Sequence, residues 1–224
     1  MPARLRPSAP IAADAVLTGD PARAMLLAQE LTVQPKMSNH ARGLWGYWGL
    51  TEDGGELTVQ ATGTGGPSAA LVVGDMAELG LRRAVRVGTC RAIDPELEPA
   101  AAIIVTEAFA GDGVSRALNL GERPLGPDPE LGAALIGAGG GGGLRPGTVW
   151  SCDLVPDSTE TAFAGQDAVD LQTAALFSLA PTLSVAVAAI LIVAESAFGE
   201  RISEDALAQA AKRAGRVAAA VLSS

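Results

Sequence analysis

Histidine and cysteine are scarce in this chain. His40 is the only histidine, so a Ser-His-Asp or Cys-His catalytic apparatus would have to use it, and nothing around it resembles such an arrangement. The two cysteines, Cys90 and Cys152, have no CxxC spacing and lie in apolar or glycine-rich sequence. They predict free thiols in a reducing compartment rather than a disulfide or a zinc site. We therefore expect a cytoplasmic protein without a bound metal.

Positive charge is also in short supply. Lysine and arginine total 16 against 25 aspartates and glutamates, which gives a formal net charge of −9. A chain this acidic is a poor partner for a nucleic-acid backbone, so we expect none. Any phosphate site must then be made locally, by arginines placed against an acidic background.

One uncharged segment raises the question of a membrane span. Residues 173–194 carry no charge and are numerous enough to cross a bilayer. However, Pro181 lies in the middle, and residues 185–193 are rich in β-branched side chains. We interpret the segment as a helix, a turn at Pro181 and a strand buried on both faces of a parallel sheet, so we expect no membrane partner. The first residues lack the long apolar region of a signal peptide.

What the sequence does contain is an alternation of strand and helix patterns. Asp20 and Ser203 are predicted helix N-caps, and Pro21 suits a first helical position. The predicted strands cover 15–17, 57–62, 84–87, 103–106, 148–152 and 185–193, and the predicted helices cover 21–30, 67–79, 168–180 and the residues after 203. This alternation predicts an α/β fold with one domain over 1–224, a mostly parallel twisted central sheet flanked by helices.

Short glycine- and arginine-containing blocks follow the predicted strands. They lie at residues 19–24, 42–49, 62–68 and 86–90, and a fifth block, Val-Asp-Leu-Gln, lies at 169–172. Glycine allows close approach to the backbone, helix-start N–H groups point at an anion, and arginine supplies a planar fork of donors. In parallel sheets, ligands bind beyond the carboxyl ends of the strands. The first four blocks therefore predict an anion site at that edge.

Together, the blocks resemble the nucleoside phosphorylase family, which includes bacterial purine nucleoside phosphorylase and uridine phosphorylase. The resemblance runs from about residue 15 to the C-terminus. It implies phosphorolysis, in which inorganic phosphate attacks the anomeric carbon of a nucleoside and the base leaves through an oxocarbenium-like transition state. It also implies no cofactor besides phosphate as co-substrate, and a homo-oligomer, a hexamer or a trimer, with a shared active site.

The resemblance further implies the role of individual residues. Phosphate would be held by Gly19, Arg23, Arg86 and Thr89, with Arg42 supplied by a neighbouring subunit. The sugar and base would contact Thr64, Cys90, Arg91, Leu171 and Gln172. Arg86 and Glu195 would be the catalytic residues, with Glu195 as the general acid.

The chain departs from the family pattern on the sugar and base side. The family's Glu-Met-Glu core reads Asp-Leu-Gln here, so Gln172 can accept a hydrogen bond but lacks the charge. Arg91 stands where the family usually has glycine, and residues 154–156 replace an aromatic pair that covers the base. Glu195 replaces an aspartate, and at the mouth of an apolar strand a raised pKa would suit it as a general acid.

The sequence is also consistent with two other functions. A nucleosidase would use water, although such relatives tend to lose the phosphate arginines that this chain keeps. A binding protein would hold phosphate or a phosphorylated ligand without turnover, with Arg91 on a second anionic group. Whether Arg91 points into the pocket or folds into a salt bridge distinguishes these readings. From the residues alone, Thr64 equally fits an ordinary turn, and Glu195 a surface or capping position.

Overall fold

The structure is a computed structural model that describes residues 4–118, 124–140, 143–154 and 165–224. Its strands are β1 (Asp14–Thr18), β2 (Val33–Asn39), β3 (Gly46–Leu50), β4 (Glu56–Ala61), β5 (Arg83–Ala92), β6 (Ala102–Gly111), β7 (Leu144–Cys152), β8 (Ala168–Asp170) and β9 (Ala186–Glu195). Its helices are α1 (Pro21–Leu31), α2 (Gly66–Glu78), α3 (Gly113–Ala117), α4 (Pro129–Gly139), α5 (Thr173–Leu183) and α6 (Glu204–Leu222), and a 3-10 turn covers Ala41–Gly43.

The helix starts follow from short polar side chains. The Asp20 carboxylate accepts a hydrogen bond from the backbone N–H of Arg23 at 2.7 Å, and Pro21 occupies the first turn of α1. The Ser203 hydroxyl accepts from the N–H of Ala206 at 3.2 Å at the start of α6. Each cap satisfies one of the free donors of the first helical turn. Both predicted N-caps are confirmed.

The strands form one sheet in the order β2-β3-β4-β1-β5-β8-β7-β6-β9. β5 also pairs with β9, so that β5, β8, β7, β6 and β9 close into a ring. Among the described strands, five pairings are parallel and four antiparallel. The predicted α/β class, a central sheet flanked by helices, is confirmed, and the sheet is mixed.

Helices cover the sheet on both sides. One core cluster joins residues of α2 and α5, such as Met76 and Leu176, to the sheet, and the other joins residues of α1 and α6, such as Leu27 and Ala214. Successive residues of β9 alternate between the two clusters, with Leu191 in the first and Ile190 in the second. The prediction of a strand buried on both faces is therefore confirmed. In the described ranges, no helix is both apolar enough and long enough to cross a membrane.

Several boundary predictions were wrong. The strands predicted over 103–106 and 148–152 are longer, at Ala102–Gly111 and Leu144–Cys152. The strand predicted over 84–87 continues to Ala92, because β5 goes on pairing with β9 and then with β8. The helix predicted over 168–180 begins only at Thr173, because residues 168–170 pair with β5 and β7 as the strand β8. Pro181 does not end α5, which runs on to Leu183 before the chain turns.

Candidate active site

A cavity of about 590 Å³ opens at the ends of β1 and β4, along the second half of β5 and beside the ends of β8 and β9. Every residue that the sequence assigns to the site lines this cavity, except Arg42: Gly19, Arg23, Thr64, Arg86, Thr89, Cys90, Arg91, Leu171, Gln172 and Glu195. Residues from distant parts of the chain thus meet at one edge of the sheet, as ligand sites in α/β proteins do.

Arg23 provides a free cation at one end of the cavity. It lies on the first turn of α1, where helix N–H groups also favour an anion. Within the described part of the chain, its guanidinium makes no hydrogen bond or ion pair. Burial lowers the pKa of Arg23, and although Asp20 opposes this shift, the positive charge of Arg86 adds to it. An anion placed here would offset both the desolvation of Arg23 and its repulsion from Arg86.

Arg86, by contrast, is buried and bonded on several sides. Its Nη2 lies 2.9 Å from Oδ2 of Asp170, its Nη1 donates to Oε1 of Gln172 at 2.8 Å, and its Nε reaches Oγ1 of Thr173 at 3.4 Å. A guanidinium has five N–H donors, so these contacts leave donors for a ligand in the cavity. They also show that Arg86 holds the β8–α5 junction in place.

Gly88 makes room for that guanidinium. A Cβ atom at this position would lie 2.5 Å from Cζ of Arg86 and 2.6 Å from its Nη2. Any larger residue would therefore push Arg86 off Asp170. The glycine that the sequence presents as part of an anion cradle thus serves the packing of Arg86 inside β5, and not a turn after the strand.

Asp170 is a functional residue to which the sequence reasoning assigned no role. Its carboxylate accepts from Nη2 of Arg86, from the N–H of Thr173 at 3.1 Å and from the Thr173 hydroxyl at 2.7 Å, and the Ser151 hydroxyl donates to it at 2.5 Å. The sequence carried no signal for this role, because the predicted helix over 168–180 placed Asp170 inside the helix instead of before it.

Gln172 joins this cluster to the turn between β4 and α2. Its Oε1 accepts from Arg86 and from the Thr62 hydroxyl at 3.2 Å, while its Nε2 donates to the carbonyl oxygens of Gly63 at 2.6 Å and Gly65 at 3.2 Å. The residue is 2% exposed. Its role as a ribose ligand stays a prediction, and its amide is already engaged with the protein.

An ion-pair cluster occupies the other end of the cavity. Arg91 both lines the cavity and lies with its Nε 3.3 Å from Oε1 of Glu195, while Nε of Arg201 lies 3.1 Å from Oε2. The Arg91 contact is an ion pair without hydrogen-bond geometry. Glu195 therefore sits between two guanidinium groups instead of in the apolar mouth that the sequence suggested. The two orientations expected of Arg91, pointing into the pocket or folded into a salt bridge, therefore occur together.

Arg42 lies outside the cavity, on the exposed 3-10 turn, with a left-handed backbone at φ 59°. Thr64 is exposed and Thr89 partly buried, and both residues line the cavity. Leu154 is 85% exposed, and the other two residues of the replaced aromatic segment, 155 and 156, lie outside the described residues.

Cys90 is buried beside the Arg86 cluster. Burial raises the pKa of its thiol well above the usual range, and the negative charge of Asp170 raises it further. Burial also raises the pKa of the Cys152 thiol, to about 11. A thiol that stays protonated is a poor nucleophile, so Cys90 contributes packing to the cavity wall.

The sequence of this chain is similar to those of known phosphorylases. The chain is 30% identical over 194 residues to a purine nucleoside phosphorylase DeoD-type of Geobacillus kaustophilus, covering 83% of this chain and 81% of that protein. It is 30% identical over 207 residues to one of Alkaliphilus metalliredigens, covering 87% and 88%. It is 32% identical over 156 residues to a uridine phosphorylase of Haemophilus influenzae, covering 70% and 59%. The family model of the phosphorylase superfamily matches residues 14–223, and the chain therefore belongs to that superfamily.

Proposed function

We propose that this protein is a nucleoside phosphorylase, which cleaves an N-riboside with inorganic phosphate to give the free base and ribose 1-phosphate. The observation that carries the proposal is the Arg23 guanidinium, which has no partner among the described residues and lies close to Arg86 at the start of α1, inside the same cavity. The names of the relatives, purine nucleoside phosphorylase and uridine phosphorylase, support the same activity.

The proposed mechanism places phosphate at the α1 end of the cavity. Arg23, the remaining donors of Arg86, the Thr89 hydroxyl and the backbone at Gly19 would hold the dianion. A phosphate oxygen then forms a bond to the anomeric carbon while the bond from that carbon to the base nitrogen breaks. The donors act mainly by fixing the nucleophile and balancing charge as the sugar becomes oxocarbenium-like. No metal or cofactor takes part in the proposed step.

The base would leave toward Arg91 and Glu195. The leaving nitrogen keeps the electron pair of the broken bond and takes up a proton, for which Glu195 is the proposed acid. Thr64, Leu171 and Gln172 are the proposed neighbours of the sugar, and Cys90, which also lines the cavity, is a proposed neighbour of the base. Because Glu195 is held as a carboxylate by Arg91 and Arg201, it must first take up a proton from solvent and give up the Arg91 contact when substrate binds, and it can then pass that proton to the base.

The decisive test is release of base from inosine, adenosine and uridine, with and without phosphate. We expect release to depend on phosphate and to be slower than the ordinary enzymatic range, which begins at about 1 per second, because Arg91 and its partner occupy the base end. Equal release without phosphate would identify a nucleosidase. No release with any nucleoside would contradict the proposal.

One observation favours a second candidate function, a protein that binds phosphate or a phosphorylated ligand without turnover. The base end of the cavity carries two guanidinium groups around one carboxylate, which suits a second anionic group better than a neutral base. The variant Arg91→Gly separates the two candidates. In a phosphorylase, kcat/KM should rise about tenfold or more, which corresponds to an activation free energy lower by about 1.4 kcal/mol. A binding protein should gain no turnover. Arg116→Gly, which removes an exposed guanidinium outside the cavity, is the control.

We also propose a cytoplasmic homo-oligomer, a hexamer or a trimer, in which Arg42 of the partner subunit completes the phosphate site. The support is the position of Arg42, exposed and outside the cavity of its own subunit. The cytoplasmic location rests on the thiols of Cys90 and Cys152, which form no disulfide. Light scattering at micromolar concentration is expected to give the mass of at least a dimer, and the mass of a monomer would remove this role of Arg42.

A further inference from the structure

The side-chain amide of Gln172 is bonded to protein groups through both its nitrogen and its oxygen. An amide carries two N–H donors and an oxygen with two lone pairs. In Gln172 the donors reach the carbonyl oxygens of Gly63 and Gly65, and the oxygen accepts from Arg86 and Thr62. Both N–H donors are therefore engaged by the protein, and the oxygen is engaged by Arg86. The single Thr62 proton is shared between Gln172 and the carbonyl of Thr18, which lies 3.0 Å from the hydroxyl.

Only one orientation of the amide fits these partners. Rotating it by half a turn would place its oxygen against two carbonyl oxygens and its nitrogen against the guanidinium of Arg86. The side chain at position 172 must therefore donate to the carbonyls of Gly63 and Gly65 and accept from Arg86. A glutamate would supply the acceptor, but its second oxygen would face the carbonyls of Gly63 and Gly65 without a proton to donate.

The turn that Gln172 holds is part of the cavity wall. Gly63 and Gly65 have φ values of 73° and 83°, in the region that glycine adopts without strain. The carbonyl of Gly63 lies 3.3 Å from where a Cβ of Gly19 would be, so the turn packs against the start of α1. Gln172 thus ties the β4–α2 turn and Arg86 together on either side of the proposed phosphate position.

We propose that Gln172 is a positioning residue, whose amide fixes the glycine turn and Arg86 relative to each other and thereby shapes the anion end of the cavity. The identity of the anion at that end rests on the proposed function. The hydrogen-bond network itself is independent of that proposal. From the sequence alone, Gln172 is a ribose acceptor that lacks only the charge, and on that view Gln172→Glu would improve the site. In this chain the change removes the donor that the turn needs.

Amide hydrogen exchange of the ligand-free protein tests the network directly. Gln172→Glu and Gln172→Met both remove the donor, and Gln209→Glu makes the same charge change on an exposed face of α6. We expect exchange of the backbone amides in residues 62–69 to be about tenfold faster in the first two variants, since a lost buried hydrogen bond is worth about this factor. The control is expected to match the parent.

Calorimetric titration with inorganic phosphate tests the positioning role. Both variants at Gln172 are expected to bind about tenfold more weakly than the parent at pH 8. As the pH falls, Gln172→Glu should recover relative to Gln172→Met, because a protonated carboxyl can again donate to Gly63 while it accepts from Arg86. The charged groups that face this position, Arg86, Asp170, Asp20 and Arg23, are present in both variants and cancel in the ratio.

The outcomes separate this inference from the proposed function. Parent-like exchange in both variants would overturn the positioning role and return Gln172 to the ribose site. An affinity ratio that does not change with pH would overturn it too, and so would a failure of both variants to fold, which would make Gln172 a requirement of the whole fold. A parent that binds no phosphate would contradict the proposed function alone, because the exchange result would still decide the role of Gln172.

Discussion

Replacing Asp170 by alanine is expected to lower the free energy of unfolding by about 3–5 kcal/mol, the range for removing one partner of a buried ion pair. Both members of the pair are buried, with side-chain exposures of 5% for Arg86 and 0% for Asp170. The variant would leave the Arg86 charge without its partner and remove the acceptor for Thr173 and Ser151. Urea denaturation measures the effect as a fall in the midpoint at unchanged slope.

Asp153→Ala is the matched control for this experiment. Asp153 also pairs with an arginine, Arg116, but at 3.7 Å and with side chains 44% and 69% exposed. Such surface pairs contribute between about 0 and 1 kcal/mol. If Asp170→Ala destabilises the protein no more than this control does, the buried cluster does not hold the β8–α5 junction.

The sequence predicted those parts of the fold that depend on local signals. Asp20 and Ser203 cap their helices because a short polar side chain can satisfy N–H groups within three residues. The strand at residues 185–193 was recognisable because β-branched residues buried on both faces leave an unbroken apolar run. Neither feature depends on what the rest of the chain does.

The parts that the sequence missed depend on distant partners. β5 extends to Ala92 only because β9 and β8 lie beside it, and Arg91 pairs with Val169 across that contact. The short strand β8 looked helical because the helical pattern of α5 follows it directly. Long-range pairing overrides local propensity in such segments, so no reading of residues 84–92 alone would have found these ends.

In the candidate site, too, some features follow from local sequence and others depend on distant residues. The blocks predicted which residues gather at one edge of the sheet, and they gave both Arg23 and Arg86 the role of phosphate ligand, with Arg86 also catalytic. The structure separates the two. Arg86 is bonded to Asp170, Gln172 and Thr173, whereas the guanidinium of Arg23 has no such partner among the described residues. The difference arises from side chains more than eighty positions away in sequence from Arg86, which residue spacing around an arginine does not reveal.

This separation decides which arginine gives a clean test of anion binding. Arg86→Ala would weaken phosphate binding, but it would also leave the Asp170 carboxylate buried without its cation, so loss of affinity and loss of stability would come together. Arg23→Ala removes a guanidinium that makes no hydrogen bond or ion pair with any residue the structure describes. Its loss also removes a partly buried charge and the repulsion from Arg86, so we expect the free energy of unfolding to fall by no more than about 0.5 kcal/mol.

We therefore expect Arg23→Ala to weaken inorganic phosphate binding by about 1.5–3 kcal/mol, the range for hydrogen bonds to charged groups, which is roughly a tenfold to a hundredfold loss of affinity. Calorimetry measures the affinity, and urea denaturation shows that the fold is intact. Arg213→Ala, which removes an exposed arginine on α6 away from the cavity, controls for the change in net charge. Arg23→Lys should fall between parent and alanine, because lysine keeps the charge without the planar fork. Phosphate affinity equal to that of the parent in Arg23→Ala would mean that the anion does not bind at the start of α1, and the proposed mechanism would lose its nucleophile site.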